Sequence, residues 1–425
     1  MPQRRWQWLT RLLREYGHDV LVVSPPPHYS RNITFRDWFE GAGRDMAGSC
    51  EDGPNGEIII RTSFLPAGQS LTSRILNQFC VALGMLKFCI RPRLIKEFGP
   101  DVVIGTVPAL PTALITFLVA KRFGKRYIID LRDAWPDLLS ESKQWNKATA
   151  NRSFRERLAG FGPLKILTKF TSAALQLSLD RANAISVTSS ALQSNLNKKY
   201  EESGTTKSIQ VVRNVFPPLG DADPKVTDIQ RILSQKTGEK ESLNVLYAGT
   251  IGRAQNLANA IEAVRIAKNR GMRVNLRMVG AGAAKRQLML DARDLGEQVQ
   301  FLGQCPPESM VEHYAWADTA LVHLTDWEPL NRAVPSKTYE LMSMRIHICA
   351  VVSGETAEIV AEQAAGDVVI PENSLALAEL WETLIKFPYR LQIDTQGMEW
   401  VKSERVERAE PTFLRMLENV VFDAE

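Results

Sequence analysis

Short apolar runs that end in Gly, Pro, Ser or Asp alternate along the chain with longer stretches in which apolar side chains recur at helical spacing. That pattern predicts an α/β fold on parallel sheet, because strands covered on both faces read as unbroken apolar runs and helices make the crossovers. In the first half the runs fall at 20–23, 58–60, 102–104, 127–129, 184–187 and 209–212, with helical stretches at 6–16, 110–123 and 191–200. A second series has runs at 243–247, 274–279, 299–302, 319–323, 346–352 and 368–370, and helical stretches at 257–269, 284–295, 310–317, 336–344 and 375–387.

Between the two series, Pro217-Pro218-Leu219-Gly220-Asp221-Ala222-Asp223-Pro224 reads as a linker running to Lys225. The expected organisation is therefore a first Rossmann-like domain over 1–218, a second over 225–396, and a closing helix over 397–425 that returns to the first. A polar, basic excursion at 137–165 is long for an ordinary connection. The first helical stretch begins near Arg5 and leads into Gly17-His18-Asp19-Val20, with no strand or glycine loop ahead of it. A doubly wound sheet carries its first strand centrally, so the first domain is expected to lack that strand. Either the true start lies upstream, or the chain is a variant with a damaged first half.

Length changes this picture little: 425 residues with 44% apolar content suit two cores of ordinary size. With 52 basic against 48 acidic residues, the net charge of +4 gives no reason to expect nucleic acid. The cysteines Cys50, Cys80, Cys89, Cys305 and Cys349 are scattered without a CxxC pair, which fits reduced thiols in a cytoplasmic protein. No metal site and no cofactor is expected. No apolar run reaches the roughly 18 to 20 residues that span a bilayer, and the N-terminus lacks the apolar core of a secretion signal.

In a two-domain α/β protein, ligands collect where the carboxyl ends of the two sheets face each other, so the chemistry is sought in those loops. After the strand at 243–247 comes Tyr247-Ala248-Gly249-Thr250-Ile251-Gly252-Arg253-Ala254-Gln255-Asn256. Gly249 and Gly252 let backbone N–H groups approach an oxyanion, the next helix adds its dipole, and Arg253 supplies a bidentate cation, a combination suited to a diphosphate. The plainer reading is a turn that needs two glycines. A second loop, Gly280-Ala281-Gly282 with Lys285, is weaker and reads equally as a turn.

Pro335-Ser336-Lys337-Thr338-Tyr339-Glu340 is the most specific stretch. Pro335 and Ser336 signal a helix start, so Ser336 and Lys337 stand where free N–H groups meet an anion. Glu340, one turn on, has the reach and the acceptors for two vicinal ribose hydroxyls. The alternative is a capping arrangement of Ser336 with Glu340 near the dipole. In the first half, Asp130-Leu131-Arg132-Asp133-Ala134-Trp135 ends a strand; Arg132, Asp133 and Trp135 suit a sugar acceptor, or else Arg132 and Asp133 brace the linker.

These segments resemble the retaining glycosyltransferases of the GT-B fold, family 4, and within them the branch that builds bacterial surface polysaccharides. The likeness is carried by Gly17-His18-Asp19-Val20, by 130–136, by Ala248-Gly249-Thr250-Ile251-Gly252 with Gln255, and by 335–340, and it extends through Gly280-Ala281-Gly282, 299–303 and Ala317-Asp318. It implies two Rossmann-like domains across a cleft and transfer of a hexosyl or N-acetylhexosaminyl group, with retention, from a UDP- or GDP-sugar to a glycan or lipid-linked acceptor. By the resemblance, Gly249, Gly252, Arg253, Gly280, Gly282, Gly303, Ser336, Lys337 and Glu340 bind the donor. Glu340 takes the ribose, Arg253 and Lys337 stabilise the leaving diphosphate, and Asp133 orients the acceptor hydroxyl. Two positions depart from the family pattern: Arg332 replaces a glutamate eight residues before Glu340, and Gln255 replaces a lysine.

Arg74, Lys87, Arg91, Arg93 and Lys96 flank the apolar stretch 75–90, and Lys121, Arg122, Lys125 and Arg126 follow 107–120. Such a face suits peripheral contact with an anionic membrane at its inner side, or else marks buried helices with solvated ends. A nucleotide-sugar epimerase, an inverting transferase and a non-catalytic nucleotide-binding relative stand as the rival functions.

Overall fold

The computed structural model describes residues 4–26, 35–42, 48–66, 71–90, 97–107, 110–135, 137, 163–217, 240–306 and 309–422. Of the expected linker at 217–225, residues 218–225 lie outside the described residues, as do residues 138–162 of the excursion expected at 137–165.

The second half is a six-stranded parallel sheet ordered β10-β9-β8-β11-β12-β13. Its strands are β8 (Ser242–Ala248), β9 (Arg273–Val279), β10 (Val299–Leu302), β11 (Thr319–His323), β12 (Ile348–Val351) and β13 (Gly366–Val369). Their apolar residues are sealed on both faces: Leu243, Val245, Val274, Met278 and Ile348 are all buried, as expected of central parallel strands. The helices are α6 (Ala258–Asn269), α7 (Lys285–Asp291), α8 (Met310–Trp316), α9 (Ser336–Ser343), α10 (Glu355–Glu362) and α11 (Ser374–Lys386). Trp381 of α11 is wholly enclosed against this sheet's core.

In the first half the strands divide into two sheets, β1-β3-β2 and β4-β5-β6-β7. The first contains β1 (Leu21–Ser24), β2 (Cys50–Asp52) and β3 (Ile58–Arg61), with β2 antiparallel to β3. The second contains β4 (Val102–Val107), β5 (Arg126–Leu131), β6 (Ala184–Val187) and β7 (Ser208–Val211), all parallel. The division separates β1 from β4, and a doubly wound sheet carries its first strand at that point in its order. A shared helical layer joins the two sheets: α2 (Leu71–Ile90) packs on β1 and on α3 (Leu110–Phe123), and α3 packs on β4, β5 and α4 (Pro163–Arg181).

Helix α1 (Arg4–Glu15) has one apolar face, with Trp8, Leu9, Leu12 and Leu13 buried, while α5 (Ser190–Glu202) is capped by Ser189, whose hydroxyl accepts from the Leu192 N–H. The closing segment is three pieces where one helix is predicted: α12 (Gln396–Ser403), a π-turn at Glu404–Ala409, and α13 (Glu410–Phe422). Helix α13 packs across β5, β6 and β7 of the first half. The Arg126 guanidinium donates to the Val420 carbonyl at 3.1 Å, and the Trp8 indole donates to Glu410 at 2.8 Å.

Candidate functional site

The glycine turn after β8 is held by the turn after β9. The Gly249 N–H donates to the Val279 carbonyl, Ile251 N–H to Ala281, and Ala284 N–H back to Ile251, all at 3.0 to 3.1 Å. A Cβ on Gly280 would lie 1.9 Å from the Gly249 carbonyl oxygen, and one on Gly282 would lie 2.0 Å from that of Ile251. These two glycines are thus explained by backbone packing behind the first loop. Lys285 likewise turns inward, donating to the Gly280 and Leu302 carbonyls at 3.1 and 2.5 Å. At Gly252 the N–H donates to the Gln255 side-chain oxygen at 3.2 Å, and Arg253 is half-buried beside it. Gly303, at the end of β10, has open space where a side chain would stand.

Helix α9 settles the capping alternative. Pro335 precedes it in extended conformation (φ −59°, ψ 130°), no side chain caps it, and Ser336 is its first helical residue. Glu340 turns instead to three donors: Arg4 at 2.9 Å, the Tyr314 hydroxyl at 3.0 Å and Lys337 at 3.1 Å. Lys337 also donates to the Tyr314 oxygen at 2.8 Å. Burial pushes the Glu340 carboxyl up, but Lys337 and Arg4 outweigh it and the net shift is downward, so Glu340 is ionised at neutral pH. Burial, followed by the Glu340 charge, holds Tyr314 well above its ordinary value.

On the facing side, Asp130 at the end of β5 is wholly buried and fully engaged. Arg5 donates to its two oxygens at 2.8 and 3.2 Å, Trp6 and Thr106 each donate at 3.1 Å, and Ser186 donates at 3.2 Å. Asp130 is therefore an anchor for the start of α1. Just beyond it, Arg132, Asp133 and Trp135 are half-buried. Burial raises the Asp133 carboxyl above its ordinary value against the pull of Arg132. Neighbouring residues Arg4 and Arg5 touch Glu340 and Asp130 respectively, which brings the end of β5 and the start of α9 to one place.

Arg332 sits in the contact between halves. It pairs with Glu328 at 2.7 Å and with Asp137 at 3.0 Å, while Asp137 also takes Lys199 at 2.6 Å. Behind it, both oxygens of Glu355 accept the Ser190 and Ala191 N–H groups at the start of α5, at 3.0 and 2.7 Å. Arg213 binds Glu355 at 2.5 Å and Glu404 at 3.2 Å. Among the described residues, no group of three or more His, Cys, Asp or Glu is placed to hold a metal ion. Sequence reasoning missed Arg4, Arg5 and Tyr314. A charged pair opening a helix whose opposite face is apolar was the available signal for the first two; Tyr314 had none.

Two sheet-bearing halves facing across loops of this kind define a class of fold, GT-B. The solved sucrose-phosphate synthase of Thermosynechococcus elongatus matches 98% of this chain and 92% of its own, with a TM-score of 0.66 at 15% identity. Anabaena HepE in complex with UDP-glucose matches 99% of this chain and 96% of its own, with a TM-score of 0.60 at 13% identity.

Within that class, residues 229–399 match the family model described as glycosyl transferases group 1. A curated relative, described as the colanic acid biosynthesis glycosyl transferase WcaI of Escherichia coli (strain K12), is 23% identical over 288 residues, 67% of this chain. The chain spans 63% of that relative's length. The family match covers less than half of the chain, and the solved structures show the GT-B fold.

Proposed function

We propose that the protein transfers a hexosyl or N-acetylhexosaminyl group from a UDP- or GDP-sugar to a glycan or lipid-linked acceptor, with retention of configuration. The observation that carries this reading is the ionised, enclosed Glu340 one turn into α9, with the Gly249–Arg253 turn in the same half. A carboxylate accepts two vicinal hydroxyls, and an uncapped helix start with Lys337 and Arg253 suits the adjoining diphosphate. The family match over 229–399 covers both elements. HepE, by its description, was solved with UDP-glucose, and WcaI is described as serving colanic acid biosynthesis; both are consistent with a nucleotide-sugar donor and a polysaccharide product here.

In the proposed reaction the bond from the sugar to the diphosphate loosens first, and charge gathers on the leaving oxygens. Arg253, Lys337 and the α9 start meet that charge with fixed donors, each worth a few kcal/mol when well placed. Asp133 accepts a hydrogen bond from the acceptor hydroxyl and orients it, its basicity raised by burial. As that hydroxyl oxygen bonds the sugar carbon on the face the diphosphate leaves, its proton passes to the departing phosphate oxygen. Incubation with labelled UDP-, GDP- and ADP-sugars and a glycan or lipid-linked acceptor tests the reading. Transfer with retained anomeric configuration is expected; release of an epimerised free sugar, or binding without turnover, would overturn it.

The same proposal includes an acceptor met at a lipid surface. Leu76, Phe79 and Leu83, three and four residues apart on α2, are 52%, 60% and 51% exposed, and Phe170 and Leu177 of α4 add to this layer. Lys121 and Arg122 end the α3 helix between them; Arg91, Arg93 and Lys96 lie outside the described residues, as does the side chain of Arg74. No helix among the described residues is long and apolar enough to cross a membrane, so the contact is peripheral. Replacing Leu76, Phe79 and Leu83 together by Ser should abolish co-sedimentation with vesicles rich in anionic lipid; unchanged sedimentation would remove this part of the proposal.

A further inference from the structure

Glu340 as found is crowded for a ribose ligand. A carboxylate offers about four acceptor positions, and three donors hold it: Arg4, Tyr314 and Lys337. Two ribose hydroxyls need two of those positions, so one donor must leave. Tyr314 is 3% exposed and its oxygen also accepts from Lys337, while Lys337 shares the helix with Glu340. Arg4 belongs to the other half, and its side chain is 24% exposed.

Of the three donors, only Arg4 reaches Glu340 from the other half, at the end of a long side chain. Its backbone is tied down by the next two residues: Arg5 is bound to Asp130, the Val212 carbonyl at 2.8 Å and Asn214 at 3.1 Å, and Trp6 to Asp130. The guanidinium also donates to the Pro217 carbonyl at 3.1 Å and lies 4.5 Å over the Phe216 ring. A cation so placed beside the ribose carboxylate has little distance to travel, because one carbon joins a ribose ring to its first phosphate. The glycine turn at 249–256 carries a single cation, Arg253, since Gln255 is neutral and covers the Gly252 N–H.

Resting on the donor site described above, we propose that Arg4 is a ligand of the donor's diphosphate, parked on Glu340 until the ribose takes that carboxylate. Nucleotide binding is then an exchange: Glu340 passes from guanidinium to hydroxyls, and Arg4 passes from one carboxylate oxygen to phosphate, where its planar fork can engage two oxygens. The substrate closes the cleft from both sides, since Arg4 comes from the first half and Glu340 from the second.

Calorimetric titration of the full chain with UDP, GDP and ADP, and with the nucleoside of whichever binds best, separates the possibilities. Arg4→Met should weaken the nucleoside diphosphate about tenfold or more while leaving the bare nucleoside as tight as before or tighter. Arg4→Lys should recover part of the loss. If Arg4→Met binds the diphosphate as well as the parent, or loses nucleoside and diphosphate alike, the exchange is wrong. Glu340→Gln is the control on the underlying site: it should weaken both ligands. If it weakens neither, or if no nucleotide binds the parent, the donor site itself is misassigned and the role of Arg4 falls with it.

Discussion

At the scale of single residues, the site divides into groups that hold the fold and groups left for chemistry. Asp130 and Asp133 stand three positions apart, yet burial is answered differently at each. At Asp130 burial raises the carboxyl, but Arg5 more than cancels it and the net shift is downward. The stability it contributes is full above its unfolded value near 3.9 and is lost as pH falls through the lower folded value. Asp130→Asn is therefore expected to cost about 3 to 5 kcal/mol near neutrality by leaving Arg5 uncompensated, and to flatten the loss of stability below about pH 4. Denaturant titrations across pH would show it; an unchanged acid limb would contradict the assignment. For turnover, Arg253→Ala and Glu340→Ala should each lower kcat/KM roughly tenfold or more, and near-parental kinetics in both would place the donor elsewhere.

At the scale of elements, the two glycine loops of the second half act as one. Gly282→Ala drives a Cβ into the Ile251 carbonyl, so the Gly249–Arg253 turn must shift; a loss of about 1 to 3 kcal/mol is expected, with a raised donor KM under the proposed function. Gly303→Ala meets nothing within 4 Å and should stay within about 0.5 kcal/mol of the parent. Equal effects of the two, measured by thermal unfolding and donor kinetics, would break the argument.

Much of this was legible beforehand. The strands at 184–187, 299–302 and 319–323 appear with the expected bounds, short apolar runs bounded by turn residues; the first and last are buried throughout, while 299–302 lies on the sheet edge with Gln300 exposed. Helix α10 was not, since Glu355-Thr356-Ala357-Glu358 carries no clear apolar stripe and its Glu355 is buried for a partner in the other half. Short β2 was missed because its residues Cys50, Glu51 and Asp52 are exposed on an edge. Site residues contributed by loops and helix starts could be named from glycine, proline and charge, but their partners Arg4, Tyr314 and Arg213 lie far away in sequence and only folding brings them in.

At the scale of the whole molecule, one apolar core cluster contains residues of both halves, with Leu192 and Val215 in the same body as Val334 and Tyr339. Buried ions stitch that contact. Arg213 bridges Glu355 and Glu404 and lies 5.9 Å from the Trp400 ring, which stacks on Tyr339. Arg213→Met removes the cation that Glu355 and Glu404 share, leaving Glu355 with the Ser190 and Ala191 N–H groups and Glu404 with Arg408, and should cost about 3 kcal/mol. Because the contact is what couples the halves, its urea unfolding should separate into two steps; a single transition at the parental midpoint would show that Arg213 contributes no coupling.

The return of α13 to the first half bears on how the chain is made. Trp6 and Trp8, among the earliest residues, meet Phe413 and Glu410 near the far end. On a ribosome adding about 5 to 20 residues per second, the first half waits tens of seconds for the helix that covers its sheet. The domain begun first is thus the last to be completed, and until then its uncovered apolar floor is a natural site for chaperone capture.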